Sequence, residues 1–190
     1  MPLRLSKGNM YEWVTHTWIP IKGACPHDCS YCYMKRWGKL NPVRLDDKEF
    51  KTDMGGREET IFVGSSCDMW ARDISSGYIG RVLDYLTNNY PMPTYLFQSK
   101  YPRRFFQFID HFPRNTLLCT TIETNRYYKE IMGNSPHPLD RVDWMNKMAL
   151  EGFETYVTIE PIMDFDINEM PYYIEACLPK QVNIGADSGG

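Results

Sequence analysis

The sequence carries no excess of positive charge: 21 lysines and arginines stand against 24 aspartates and glutamates, a formal net charge of −3. Holding a long phosphate backbone takes a cationic surface that releases counterions, so extended nucleic acid is disfavoured as a partner. No apolar run approaches the about 20 residues that cross a bilayer, and the N-terminus, with Arg4 and Lys7, lacks a signal-peptide core. A cytoplasmic protein with no membrane contact is expected. Repeats, low-complexity tracts and long linkers are also missing. The 190 residues therefore read as one domain, 1–190, short for a complete eight-unit barrel.

Nor is there a disulfide framework. Of six cysteines, Cys67, Cys119 and Cys177 stand singly in apolar or strand-like surroundings and are expected to be small buried hydrophobes. What the chain does have is core material: 43% hydrophobic residues, with 13 Tyr, 9 Phe and 5 Trp. Short β-branched or aromatic runs alternate with stretches of helical spacing, which predicts a parallel α/β sheet. Strands are expected at 14–19, 60–64, 94–98, 116–122, 155–159 and 182–185.

Helices are expected between them. Residues 76–89 place Ile79, Val82, Leu83 and Leu86 on one face, with Ser75 or Ser76 as the N-cap. Residues 102–112 supply Phe105, Phe108 and Ile109, and 138–151 set Leu139, Val142, Met145 and Ala149 on a stripe. A last helix is expected at 166–177, with Asp166 as its N-cap. At the C-terminal strand ends polar residues share one parity, as with Thr121, Glu123 and Asn125 against Leu118 and Ile122. In parallel α/β barrels that rim binds ligands.

The remaining cysteines crowd into Cys25-Pro26-His27-Asp28-Cys29-Ser30-Tyr31-Cys32, a C-x3-C-x2-C spacing directly after the first strand. Three thiolates from one loop can hold three irons of a cubane cluster and leave the fourth open to another ligand. Two other readings stay available: a zinc site completed by His27 or a distant cysteine, and a one-electron iron-sulfur carrier. Both would be better served by a second close pair of ligands, and no second C-x2-C or C-x-H pair exists.

With an aromatic residue just before its last cysteine and a strand just before its first, this motif resembles the radical S-adenosylmethionine superfamily. The resemblance implies a partial (β/α)6 TIM-like barrel, six parallel strands with covering helices. It also implies a [4Fe-4S] cluster on Cys25, Cys29 and Cys32, with S-adenosylmethionine on the open iron. Reductive cleavage would then give a 5'-deoxyadenosyl radical that abstracts hydrogen from a substrate, fed by an external reductant of the flavodoxin or ferredoxin type.

Residue by residue, Gly64-Ser65-Ser66 stands where the family has a Gly-Gly-Glu-like stretch and departs from it by lacking the Glu. Thr121, Glu123 and Asn125 fall at the ribose-contacting strand end, with Glu123 first choice as an acceptor. Glu160 sits at the end of the fifth strand, and Tyr31 lies against the cofactor. His16, Asp68, Gln98, Lys100, Asp164, Asp187 and Ser188 are left to face a small polar substrate. By size and polar mouth the chain is similar to queuine lyase, which would make a modified nucleobase the substrate.

Overall fold

A computed structural model describes residues 3–6 and 11–185. Its described strands form one seven-stranded sheet and one two-stranded sheet. In chain order these are β1 (Arg4–Leu5), β2 (His16–Trp18), β3 (Ile21–Lys22), β4 (Arg44–Leu45), β5 (Thr60–Val63), β6 (Thr94–Ser99), β7 (Thr116–Thr121), β8 (Glu154–Ile159) and β9 (Gln181–Ile184). The large sheet runs β1-β2-β5-β6-β7-β8-β9. All its pairings are parallel except β1 with β2. The six expected parallel strands are present, and the antiparallel β1 is an addition. With two residues, β1 carries too little pattern to be read from sequence.

The helices are α1 (Ser76–Asn89), α2 (Arg103–Gln107), α3 (Lys129–Met132), α4 (Pro138–Leu150) and α5 (Met170–Ala176). In α1, Ile79, Val82, Leu83 and Leu86 are fully buried, as their spacing requires; each contributes roughly 1.5–3 kcal/mol. Ser75 is its N-cap but makes no capping bond, while the Ser76 hydroxyl accepts from Arg104 at 3.2 Å. On β6 and α2, Phe97 and Phe105 pack on Trp70 with ring centroids 5.5 and 5.0 Å away.

Three expected helices need correction. The one expected at 102–112 is only α2, with a 3-10 turn at Ile109–His111 after it. The buried face of α4 is Pro138, Arg141, Val142, Met145 and Met148, while Leu139 is exposed. An apolar-only stripe overlooks Arg141, which turns inward because its partner is inside. The last helix starts at Met170 with Glu169 as N-cap, since the Asp166 carboxylate is ion-paired with Arg126 instead.

Strand parity divides the core. Ile61, Val63, Tyr95, Phe97, Leu118 and Val157 pack in the larger cluster with the helices. Phe62, Leu96, Cys119 and Tyr156 point the other way and enclose Tyr11 and Val14 from the N-terminal segment. Cys67, Cys119 and Cys177 are buried.

Candidate functional site

The cysteine loop leaves the sheet after β2 and is pinched at its base by the pairing of β3 with β4. The Ala24 N–H donates to the Asn41 carbonyl at 2.9 Å. On its far side the loop is fastened to residues 131–134: the Ser30 N–H donates to the Ile131 carbonyl at 2.8 Å and the Asn134 N–H to the His27 carbonyl at 2.6 Å. The Asn134 side-chain amide adds a bond to the Pro26 carbonyl at 3.0 Å. Gly133 makes this approach possible. At φ 60° its missing Cβ would stand 2.2 Å from the His27 oxygen, a distance no side chain tolerates.

The three thiols have separate neighbours. The buried Cys29 sulfur lies 3.2 Å from the Ser135 hydroxyl and 3.4 Å from the Met132 carbonyl. Hydrogen bonding from the Cys67 thiol holds the Cys25 thiol below its ordinary pKa, while that same contact and burial push Cys67 well above its own. Burial raises Cys32. Three cysteines of one loop lining the same cavity can supply one thiolate to each of three irons, so this donor set fits the implied group.

All three cysteines line a cavity of about 770 Å³. Of the residues expected from sequence, Tyr31, Gly64, Ser65, Ser66, Asp68, Gln98, Lys100, Thr121 and Glu160 line it as well. Several already have protein partners. Asp68 accepts from His27 Nε2 at 2.8 Å, from the Ser99 hydroxyl at 2.9 Å and from the Lys100 N–H at 2.9 Å. Burial opposes its charge, yet His27 and these donors keep its carboxyl below the ordinary value. Gln98 accepts from the Tyr11 hydroxyl at 2.9 Å and donates to Thr121 at 3.1 Å. The hydroxyls of Ser65 and Ser66 make no such bond among the described residues, leaving them to a ligand; the Ser65 carbonyl accepts from the Tyr33 hydroxyl at 2.8 Å.

Other expected residues lie elsewhere. Glu123 is wholly buried and does not line the cavity: Oε2 accepts from Arg141 at 2.7 Å, and Oε1 accepts from Lys100 at 2.7 Å and from the Tyr31 hydroxyl. Burial opposes its ionisation, but Arg141 and Lys100 prevail and hold its carboxyl at about 2. Wholly buried behind Lys100 and Tyr31, it presents no acceptor to the cavity. Asn125 bonds Asp166 and Glu169. Asp164 pairs with Arg126, and His16 on β2 bonds the neighbouring Thr15 hydroxyl at 2.9 Å. Neither belongs to the cavity lining. Asp187 and Ser188 lie outside the described residues.

Sequence reasoning missed four contributors. Tyr11 reaches the inner face and touches Gln98 and, at 2.6 Å, the Thr158 hydroxyl; it sits in a segment with no periodicity to signal it. Gly133 and Ser135 follow the four-residue helix α3, too short to be read from pattern. Arg141 could have been found, because a cation in register with a buried stripe demands an anion nearby.

No family model matches the chain, and no curated protein matches its sequence. Solved structures do match in fold. A spore photoproduct lyase complexed with dinucleoside spore photoproduct superposes with a TM-score of 0.63 at 16% identity, over 83% of this chain and 49% of that one. A variant of that lyase with bound AdoMet and the dinucleoside gives 0.61 at 17% identity, over 90% of this chain and 53% of that one. The chain thus spans about half the length of these structures. The likeness supports the partial TIM-like fold, a mostly parallel central sheet flanked by helices.

Proposed function

We propose that the chain is a radical S-adenosylmethionine enzyme. The observation that carries this reading is that Cys25, Cys29 and Cys32 line one cavity at the C-terminal ends of the parallel strands, together with Gly64, Ser65, Ser66, Thr121 and Glu160. Bound there, a [4Fe-4S] cluster and S-adenosylmethionine supply one-electron reductive cleavage to a 5'-deoxyadenosyl radical able to abstract hydrogen.

The protein's own residues then have distinct tasks. Cys25, Cys29 and Cys32 anchor the cluster, one thiolate for each of three irons. The hydroxyls of Ser65 and Ser66 accept from a ligand ammonium in place of the missing carboxylate. Thr121 and Glu160 are the remaining polar groups for the nucleoside part, and Tyr31 shields the cluster. Asp68, Gln98 and Lys100, already bonded within the protein, shape the substrate side of the cavity more than they recognise a ligand.

We take the substrate to be a small, polar, nucleobase-bearing molecule. A dinucleoside is what the matching structures hold, and a queuine-like base is a finer version resting on size and polarity alone. The electron comes from an external carrier of flavodoxin or ferredoxin type. Anaerobic purification with iron and sulfide analysis, followed by dithionite reduction with S-adenosylmethionine, tests the proposal. Production of 5'-deoxyadenosine, lost in Cys29→Ala, is expected. A colourless protein holding one zinc would refute it.

A further inference from the structure

Two side chains of the cysteine loop bracket Cys29, and each is tied to a carboxylate. His27 Nε2 is bonded to Asp68 at 2.8 Å. The Tyr31 hydroxyl donates to Glu123. The two carboxylates lie on different parts of the sheet rim, yet Lys100 at the end of β6 joins them. Its backbone N–H donates to Asp68 at 2.9 Å and its Nζ to Glu123 at 2.7 Å. The same Nζ stands 5.1 Å from the centre of the Tyr31 ring. Behind Glu123, the buried Arg141 on α4 fixes the second carboxylate oxygen.

We propose that Tyr31, Glu123 and Lys100 are positioning residues that hold the loop on both sides of Cys29 and so set where its thiols point. The proposal rests on the reading of the loop as a cluster site and assigns Tyr31 a task different from contact with a ligand. The geometry suits it. The loop is fastened on its far side at residues 26, 27 and 30, and the Tyr33 hydroxyl ties its other end to the Ser65 carbonyl at 2.8 Å. Between these points the phenol-to-carboxylate bond adds an anchor on a wholly buried, doubly ion-paired base. A charged hydrogen-bond acceptor is a stronger anchor than a neutral one.

Tyr31→Phe deletes only the hydroxyl and leaves the Glu123 ion pairs in place; Lys100→Met cuts the bridge between the two anchors. Alkylation of the full chain, purified without added iron, is followed cysteine by cysteine with iodoacetamide and mass spectrometry. Both variants are expected to react several-fold faster at Cys29 and Cys32, with Cys119 and Cys177 unchanged. Wild-type rates at Cys29 and Cys32 in both variants would overturn the proposal. So would equal acceleration at all six cysteines, which would mean general loosening. After iron-sulfur reconstitution, the electron paramagnetic resonance signal of the reduced cluster is expected to differ between wild type and Tyr31→Phe, and identical signals would likewise count against positioning. A wild-type protein that takes up no iron refutes the enzyme reading instead, and the alkylation rates still decide the positioning role.

Discussion

Replacing Glu123 with alanine should be among the most destabilising single changes in this chain, and the structure sets the size of the effect. Glu123 and Arg141 are both completely buried and meet at 2.7 Å. Removing one partner of such a pair leaves a desolvated charge, for about 3–5 kcal/mol. Arg141 keeps bonds to the Thr121 and Pro136 carbonyls, both at 2.9 Å, which places Glu123→Ala near the lower end. At about 2–4 °C per kcal/mol for a chain of this length, the melting temperature should fall by roughly 6–12 °C. Urea denaturation followed by circular dichroism measures the change directly, provided the slope with denaturant is unaltered. The control is Glu123→Leu combined with Arg141→Met. Exchanging a whole buried pair for apolar groups of similar volume is often neutral, so the double variant should be more stable than Glu123→Ala alone. A single variant within about 1 kcal/mol of wild type, or a double variant no more stable than Glu123→Ala, would refute the account of Glu123 as a buried ionic hub.

The same carboxyl predicts an acid limit. Its folded pKa of about 2 lies below the ordinary 4.5, so its stabilisation is complete above pH 4.5 and disappears as pH falls towards 2. At about 1.4 kcal/mol per pH unit, roughly 2 kcal/mol should be lost by pH 3. Urea midpoints measured from pH 7 to 3 check this, and Glu123→Gln should flatten that part of the profile; an unchanged slope would separate the acid loss from Glu123. Gly133→Ala should destabilise by about 2 kcal/mol or more, because the new Cβ meets the His27 carbonyl at 2.2 Å in a left-handed backbone conformation. A melting temperature equal to that of wild type would show that the loop and residues 131–134 are not in firm contact.

The elements legible from sequence were those whose signal is local. Residues 60–63, 94–99 and 116–121 announce strands through β-branched and aromatic content, and the face shared by Ile79, Val82, Leu83 and Leu86 fixes α1 without knowledge of anything else. The cysteine spacing was equally local. Partners were the harder part: parity correctly set Thr121, Glu123 and Asn125 apart from Leu118 and Ile122, but it could not say which polar group meets a ligand and which meets protein. That depends on what stands opposite. For Glu123 it is Arg141, 18 residues further along and on another element.

A sharper rule follows from that pair. Positions 138, 142, 145 and 148 of α4 are buried, and 141 falls in register with them. A cation in such a row cannot be left unpaired, because burying an isolated charge costs more than the helix gains by packing there. The buried Arg104 of α2 finds its partners in the Ala71, Arg72 and Ile74 carbonyls and the Ser76 hydroxyl; for Arg141 the partner includes a carboxylate at the end of a strand of the sheet that α4 covers. Glu123, just past the end of β7, is wholly buried against that helix. A buried cation inside an apolar helical stripe therefore calls for a buried partner, and for Arg141 that partner is the strand-end carboxylate of Glu123. Burial thus separates Glu123 from Glu160, which lies on the cavity wall, where the proposed ligand contacts fall.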